Sequence, residues 1–173
     1  IVAHSYLMIT LDDTDLRLLD LLQDDAGLSN QDLAAAAHVS PATALRRVRR
    51  LTDGGVIERR VALLSADRLG NGLQALVEVQ LDRQGAEHLD AFEMLAVADV
   101  AVQQCGRVSP GPDFVLVLWV ADMAAYNTLV QRLFTQHANV RNVKTFFSIK
   151  RAKCSPRIDL RASQARAGPP RAA

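Results

Sequence analysis

Apolar and polar positions change their period along the chain near residue 72: before it they recur at helical spacing, and after it they mostly alternate. Asp12 can cap a first helix, with Asp15 three residues on, and Leu16, Leu18, Leu19, Leu21 and Leu22 give it a wide apolar stripe. That stripe exceeds what one short helix partner needs, so a second surface to pack on is expected. Asp24-Asp25-Ala26-Gly27 ends it. Ser29-Asn30-Gln31-Asp32 reads as a capping box opening a short helix through Leu33, Ala34, Ala36 and Ala37, closed by His38 and Val39. Ser40 then caps a third helix, Pro41 suits its first position, and Gly54-Gly55 can end it in the left-handed conformation. On this helix Ala44, Leu45, Val48 and Leu51 fall on one side. Ala42, Thr43, Arg46 and Arg50 fall on the other, with Arg47 and Arg49 flanking them. Val56 to Leu64, rich in β-formers and carrying Arg59 and Arg60, reads as a strand or the short wing of a winged helix.

Beyond the Asn71-Gly72 turn, Leu73, Ala75, Val77, Val79 and Leu81 alternate with Gln74, Leu76, Glu78 and Gln80, the pattern of a half-buried strand. Residues 86 to 96 align Leu89, Phe92 and Leu95 on a helical face, and Val100 to Val108 reads as a strand interrupted by Gln103 and Gln104. Phe114 to Val120 is apolar throughout and is expected to be buried on both faces. Tyr126, Leu129, Val130, Leu133 and Phe134 stripe another helix, and Val143, Thr145, Phe147 and Ile149 alternate in a last strand. The order β-α-β-β-α-β predicts a ferredoxin-like α+β domain with both helices on one face of the sheet. The other face needs cover, and a second copy of the chain in an isologous dimer would supply it.

The second and third helices, joined by a tight turn, are a helix-turn-helix, whose second helix enters the DNA major groove with its N-terminal residues at base edges. Ser40, Pro41, Ala42 and Thr43 stand at that N-terminus. Thr43 and Arg46 are placed to reach bases, with Arg47 on the flank, while Arg49, Arg50, Arg59 and Arg60 are placed to grip phosphates.

Composition sharpens this picture. The 173 residues carry a formal charge of only +1, so attraction to double-stranded DNA must be local. Asp12, Asp13, Asp15, Asp20, Asp24 and Asp25 crowd the first helix, while arginines crowd the third. Cys105 and Cys154 stand far apart, which fits a reducing cytoplasm and no disulfide framework. The apolar start at residues 1–9 is too short to span a bilayer. His4, His38, His88 and His137 are scattered without metal spacing, and no phosphate loop, paired-carboxylate motif or nucleophile elbow occurs. No catalytic residue, metal or cofactor is expected.

Leu11, Asp12 and Asp15; Leu33 and Ala34; Ser40 and Pro41; Arg47, Arg50 and Leu51; Gly55, Val56 and Ile57; Leu69 and Gly70 form an ordered set. With it, residues 11 to 72 resemble the N-terminal half of the leucine-responsive and asparagine-operon regulator (Lrp/AsnC) family. The resemblance implies a winged helix-turn-helix over residues 11–64, a linker over 65–72 and a ferredoxin-like effector and dimerisation domain over 73–151. These lie between an N-terminal extension at 1–10 and a basic tail at 152–173 in which little order is expected beyond Cys154. It also implies a transcriptional regulator that dimerises through its sheets, can assemble further to an octamer, and binds an amino acid or similar effector at the subunit boundary.

The family's effector loop resembles a Gly-x-x-Asp motif, which carries over to Ser109, Gly111 and Asp113. Its first glycine is Pro110 here, which has no N–H for a ligand carboxylate and a restricted φ. Two other readings fit a protein of this kind. One is a tetrapyrrole-processing enzyme resembling sirohaem decarboxylase; the other is a DNA architectural protein without an effector.

Overall fold

The computed structural model describes residues 9–65, 67–70 and 72–160, and these form two compact units. The expected N-terminal extension through residue 8, Asn71 of the turn, and the tail from 161 with Arg161, Arg166 and Arg171 lie outside the described residues.

The first unit holds three helices, α1 (Asp13–Asp24), α2 (Asn30–Ala36) and α3 (Pro41–Asp53). α1 opens with a full capping box: the Asp12 carboxylate accepts the Thr14 and Asp15 N–H groups, and the Asp15 carboxylate accepts the Asp12 N–H. In α2 the box is only half made, because the Asp32 side chain takes the Ser29 hydroxyl proton rather than the Ser29 N–H. His38 turns the chain into α3 at φ 58°, a left-handed conformation uncommon outside glycine. α3 begins as expected, with Ser40 accepting the Thr43 N–H and Pro41 at the first position. Of the two glycines that follow it, only Gly55 is left-handed, at φ 73°. Leu18, Leu33, Ala34, Ala37, Ala44 and Val48 close the core between the helices.

Three expectations for this unit are corrected. Leu45 is not a core residue: it is 48% exposed, since the core-facing stripe of α3 is the narrower set Ala44, Val48 and Leu51. Residues 56–64 are not a strand; no described segment pairs with them, and a β-forming composition without a ladder partner yields irregular chain. Cys154 to Leu160 do not trail away from the fold but belong to this unit. Gln23 clasps Ile158 through both its backbone N–H and carbonyl, while Arg157 pairs with Asp20 and Asp24 of α1.

The second unit, Leu64–Lys153, is built on a four-stranded antiparallel sheet. Its elements are β1 (Leu73–Leu81), α4 (Ala86–Ala98), β2 (Val102–Arg107), β3 (Phe114–Val120), α5 (Met123–Val130) and β4 (Val140–Phe147), in sheet order β2-β3-β1-β4. This is the predicted ferredoxin-like topology. After α5 the chain continues in a wider turn over Gln131–Thr135, with the Gln136 N–H donating to the Gln131 carbonyl. β2 is shorter than expected and leaves Val100 outside it, 95% exposed; β4 starts earlier and leaves Ile149 beyond its end.

Residues of alternate parity on β1 and β3 face α4 and α5. Ala75, Val77, Val79 and Leu81 interlock with Phe114, Leu116, Leu118 and Val120 beneath Phe92, Leu129, Leu133 and Phe134. The opposite parity stands on the uncovered face, where register places Leu76 between Val117 and Phe146. β3 is therefore buried on one face only. Val115, Val117 and Trp119 are half-buried, because both helices lie on the other side.

Leu118 lies at the centre of this core with no exposure, so Leu118→Ala leaves a cavity that the interlocked strands cannot close. We expect a loss of about 2–5 kcal/mol, read by chemical denaturation, against less than about 1 kcal/mol for Ile149→Ala outside the sheet.

Candidate nucleic-acid interface and effector loop

α3 is a short, doubly capped helix with one face in the core, and its remaining faces divide the arginines into two populations. Arg46 and Arg49 stand fully on the exposed side, where neither has an ion-pair partner among the described residues. An open groove passes them, floored by Ala42, Leu45 and Ile9. Gly54 lets Ile9 lie close against the end of the helix, where any side chain would collide with it.

Arg47 and Arg50 point instead towards α1. Arg47 Nη1 donates to Asp12 Oδ1 at 2.8 Å, to Asp12 Oδ2 at 2.7 Å and to Asp15 Oδ1 at 2.9 Å, and Arg50 Nη2 donates to Asp15 Oδ2. Asp15 has no exposure at all. Its oxygens are satisfied by two guanidinium groups and the Asp12 N–H, as a buried carboxylate requires. The Arg47 hydrogen bonds, with help from the Asp15 and Thr14 N–H groups, hold the Asp12 carboxyl down at about 2, against desolvation that opposes this. The same two carboxylates raise the Arg47 pKa further.

The other candidates separate by position. Pro41 and Ala42 are exposed and Thr43 is half-buried; the Thr43 hydroxyl lies 2.9 Å from the Ser40 Oγ, so Ser40 is occupied as a cap and Thr43 partly so. Arg59 and Arg60 are exposed on the irregular segment after α3. The four-member charge cluster was not foreseen, although a signal for it exists. Asp12 and Asp15 repeat at the same three-residue spacing as Arg47 and Arg50, so two helices crossing there can align both pairs.

In the second unit the effector loop joins β2 to β3. Ser109 precedes a cis peptide to Pro110, and both residues are exposed, as is Gly111 at φ 126°, a conformation that needs glycine. Asp113 is structural at both ends: its N–H donates to the Val79 carbonyl at 2.9 Å, and its Oδ2 accepts the Leu81 N–H at 2.7 Å. The β1–β3 ladder ends at the Val79–Phe114 pair, so Asp113 satisfies an amide that lies just beyond it. The loop leaves Ser109 and Gly111 as its outward groups. Nearby, Arg107 at the end of β2 pairs with Asp90 and Glu93 of α4 and lies 5.7 Å above the Phe114 ring.

The histidines do not converge. His38 lies in the helix turn, His88 stands beside Glu87, and His137 packs edge-on against Phe92. Among the described residues no group of acids, histidines and cysteines could hold a metal ion, and no helix is long and apolar enough to cross a membrane.

Two measurements check these assignments. Asp12 ionises more readily folded than unfolded, so its contribution to stability is complete above the ordinary aspartate pKa of about 4. As pH falls from there towards about 2 that contribution is lost, and Asp12→Asn should flatten this part of an acid titration followed by helix circular dichroism. Asp113→Ala leaves the buried Leu81 N–H without its acceptor and should cost about 1–3 kcal/mol in denaturant, a larger loss than Ser109→Ala.

Comparison with known proteins agrees with this geometry. Residues 11–58 match the family model described as winged helix-turn-helix DNA-binding, and residues 74–158 match the Lrp/AsnC ligand binding domain. The Bkd operon transcriptional regulator of Pseudomonas aeruginosa is 34% identical, over 83% of this chain and 94% of its own. The leucine-responsive regulatory protein of Rhizobium meliloti is 33% identical, over 88% of this chain and 97% of its own. A transcriptional regulator of Neisseria meningitidis, solved as its L-methionine complex, superposes with a TM-score of 0.82 at 28% identity, covering 89% of this chain and 99% of that one. A capped helix-turn-helix joined to a ferredoxin-like ligand-binding domain, matched along both parts, makes the chain a transcriptional regulator of the Lrp/AsnC family.

Proposed function

We propose that this regulator reads operator DNA with α3 and adjusts its binding in response to an amino acid held at the loop of residues 109–113. The observation that carries the DNA reading is the outward pair Arg46 and Arg49, unpaired among the described residues, on a capped second helix of a helix-turn-helix. Arg46 lies opposite the core face and, with Thr43, is nearest the N-terminal end that enters the groove. Arg49, Arg59 and Arg60 would neutralise phosphates, whereas Arg50, expected to do the same, is taken up by Asp15. A bidentate arginine to guanine is the commonest specific contact, worth roughly 1–3 kcal/mol of discrimination.

The effector reading is supported by the ligand-binding family match and by the methionine that the Neisseria relative binds. With Asp113 occupied by the Leu81 N–H, ligand selection in this chain would fall to Ser109, to the backbone around Gly111, and to whatever a partner subunit adds. A partner is also what the uncovered sheet face calls for, since Leu76, Val117 and Phe146 form an apolar row across three strands. A dimer formed there would present two α3 helices to half-sites about one helical turn, roughly 34 Å, apart or a multiple of that. Larger assemblies would build on such dimers. A regulator of this bacterial or archaeal type would work in the cytoplasm.

Binding of the full chain to its own upstream DNA, compared with scrambled DNA by fluorescence anisotropy across a salt series, tests this. Affinity should fall steeply with salt, and Arg46→Ala should lose about 1–3 kcal/mol of the preference for upstream DNA. Added L-methionine or another amino acid should then shift the curve. Equal binding of the wild type to both DNAs would sink the operator reading, and indifference to every amino acid would leave a regulator without an amino-acid effector.

A further inference from the structure

Three features lie outside the roles assigned so far: the exposed apolar side of α4 with Met94 and Val97, the clasp of residues 157 and 158 on α1, and the Asp12–Asp15–Arg47–Arg50 cluster. Nothing in the structure shows what would cover α4, and the clasp is already accounted for by the contacts that form it. The charge cluster carries more.

We propose that Arg47 is a positioning residue of the recognition helix, one that sets the rotation of α3 against α1 and makes no contact with DNA. The inference rests on the DNA reading above. Arg47 is the most enclosed arginine of the helix, with 23% of its side chain exposed against 48% for Arg50. Its Nη1 is shared among three carboxylate oxygens and its Nε is buried, so the guanidinium is turned towards α1. Swinging the side chain out to a phosphate would break the Nη1 bonds and leave Asp15, which has no exposure, with one guanidinium fewer. That exchange is unfavourable even beside an anionic duplex.

The consequences follow from geometry and charge count. Two aspartates and two arginines make the cluster neutral, so it adds nothing to counterion release when DNA binds. What it provides is angular restraint. The cluster joins the first turn of α1 to the middle of α3, and Arg46 is the very next residue to Arg47. A small rotation of α3 would swing Arg46 off a base edge while still leaving Arg49 near the backbone. The cluster therefore governs sequence preference rather than overall attraction.

Arg47→Gln and Asp12→Asn separate this from the alternatives. Both are made in the full chain, alongside Arg49→Ala, and each is titrated with upstream and scrambled DNA across a salt series. Asn at position 12 keeps a good cap and removes only charge from a half-exposed side chain, so that variant should fold even where Arg47→Gln does not. If Arg47 positions, Arg47→Gln keeps the wild-type salt slope and lowers the preference for upstream DNA about tenfold. Asp12→Asn also lowers that preference, although removing a negative charge should by electrostatics alone tighten binding to any DNA. Arg49→Ala, as a phosphate contact, should reduce the salt slope by about 0.9. The proposal is overturned if Arg47→Gln reduces the slope by a similar amount, or if Asp12→Asn tightens both DNAs equally with preference intact. Failure of the DNA reading itself would show separately, as wild-type protein with no preference at any salt.

Discussion

The carboxylate of Asp15, wholly removed from water, is the constraint on which the DNA-binding unit depends. A charge in that position persists only with its partners in place, and it takes them from three sources: the Asp12 N–H, Arg47 and Arg50. One side chain thus closes the capping box of α1 and fixes how α3 lies against it. The apolar core of this unit is modest, made of small and medium side chains such as Leu18, Leu33, Ala34, Ala37, Ala44 and Val48, whose packing is non-directional. The charge-assisted contact supplies direction. It also divides the arginines of α3 into Arg47 and Arg50, which are bound to α1, and Arg46 and Arg49, which have no ion-pair partner among the described residues.

Directional polar contacts perform the same service in the second unit, on a smaller scale. The interlocked residues of β1 and β3 hold the sheet together, but β1 runs past the start of β3, and its Leu81 N–H has no strand partner there. Asp113 reaches across from the loop to accept it. The loop that resembles the family's effector motif is therefore welded to the strand next to it, and a ligand seated at Ser109 and Gly111 would press on the sheet rather than on a loose turn.

Much of this was legible in the residues. Caps at Asp12, Ser29 and Ser40, the left-handed glycine at position 55, and the alternation from Leu73 to Leu81 and Phe114 to Val120 are local signals, and each gave its element nearly in register. The failures share a cause: each depends on a partner distant in sequence. Residues 56–64 have the composition of a strand but no neighbour to pair with, and Leu45 has helical spacing to the core but falls just off a face three residues wide. Arg157 looked like part of a basic tail until Asp20 and Asp24 were seen to receive it. Composition predicts that a charge will be solvated; only the fold reveals that its solvent is another side chain.

That distinction bears on how a chain with a formal charge of +1 can be a DNA-binding protein. The acids of α1 look, in the sequence, as though they must repel the duplex. In the fold four of them are spent: Asp12 and Asp15 on Arg47 and Arg50, Asp20 and Asp24 on Arg157. Three arginines take up these four carboxylates, so the pairings withdraw charge of both signs and leave one negative charge over. Arg46 and Arg49 on α3, with Arg59 and Arg60 on the segment after it, are exposed and have no ion-pair partner among the described residues. The exposed side of α3 is cationic while much of the acidity of α1 is taken up by arginines of its own unit, Arg47, Arg50 and Arg157.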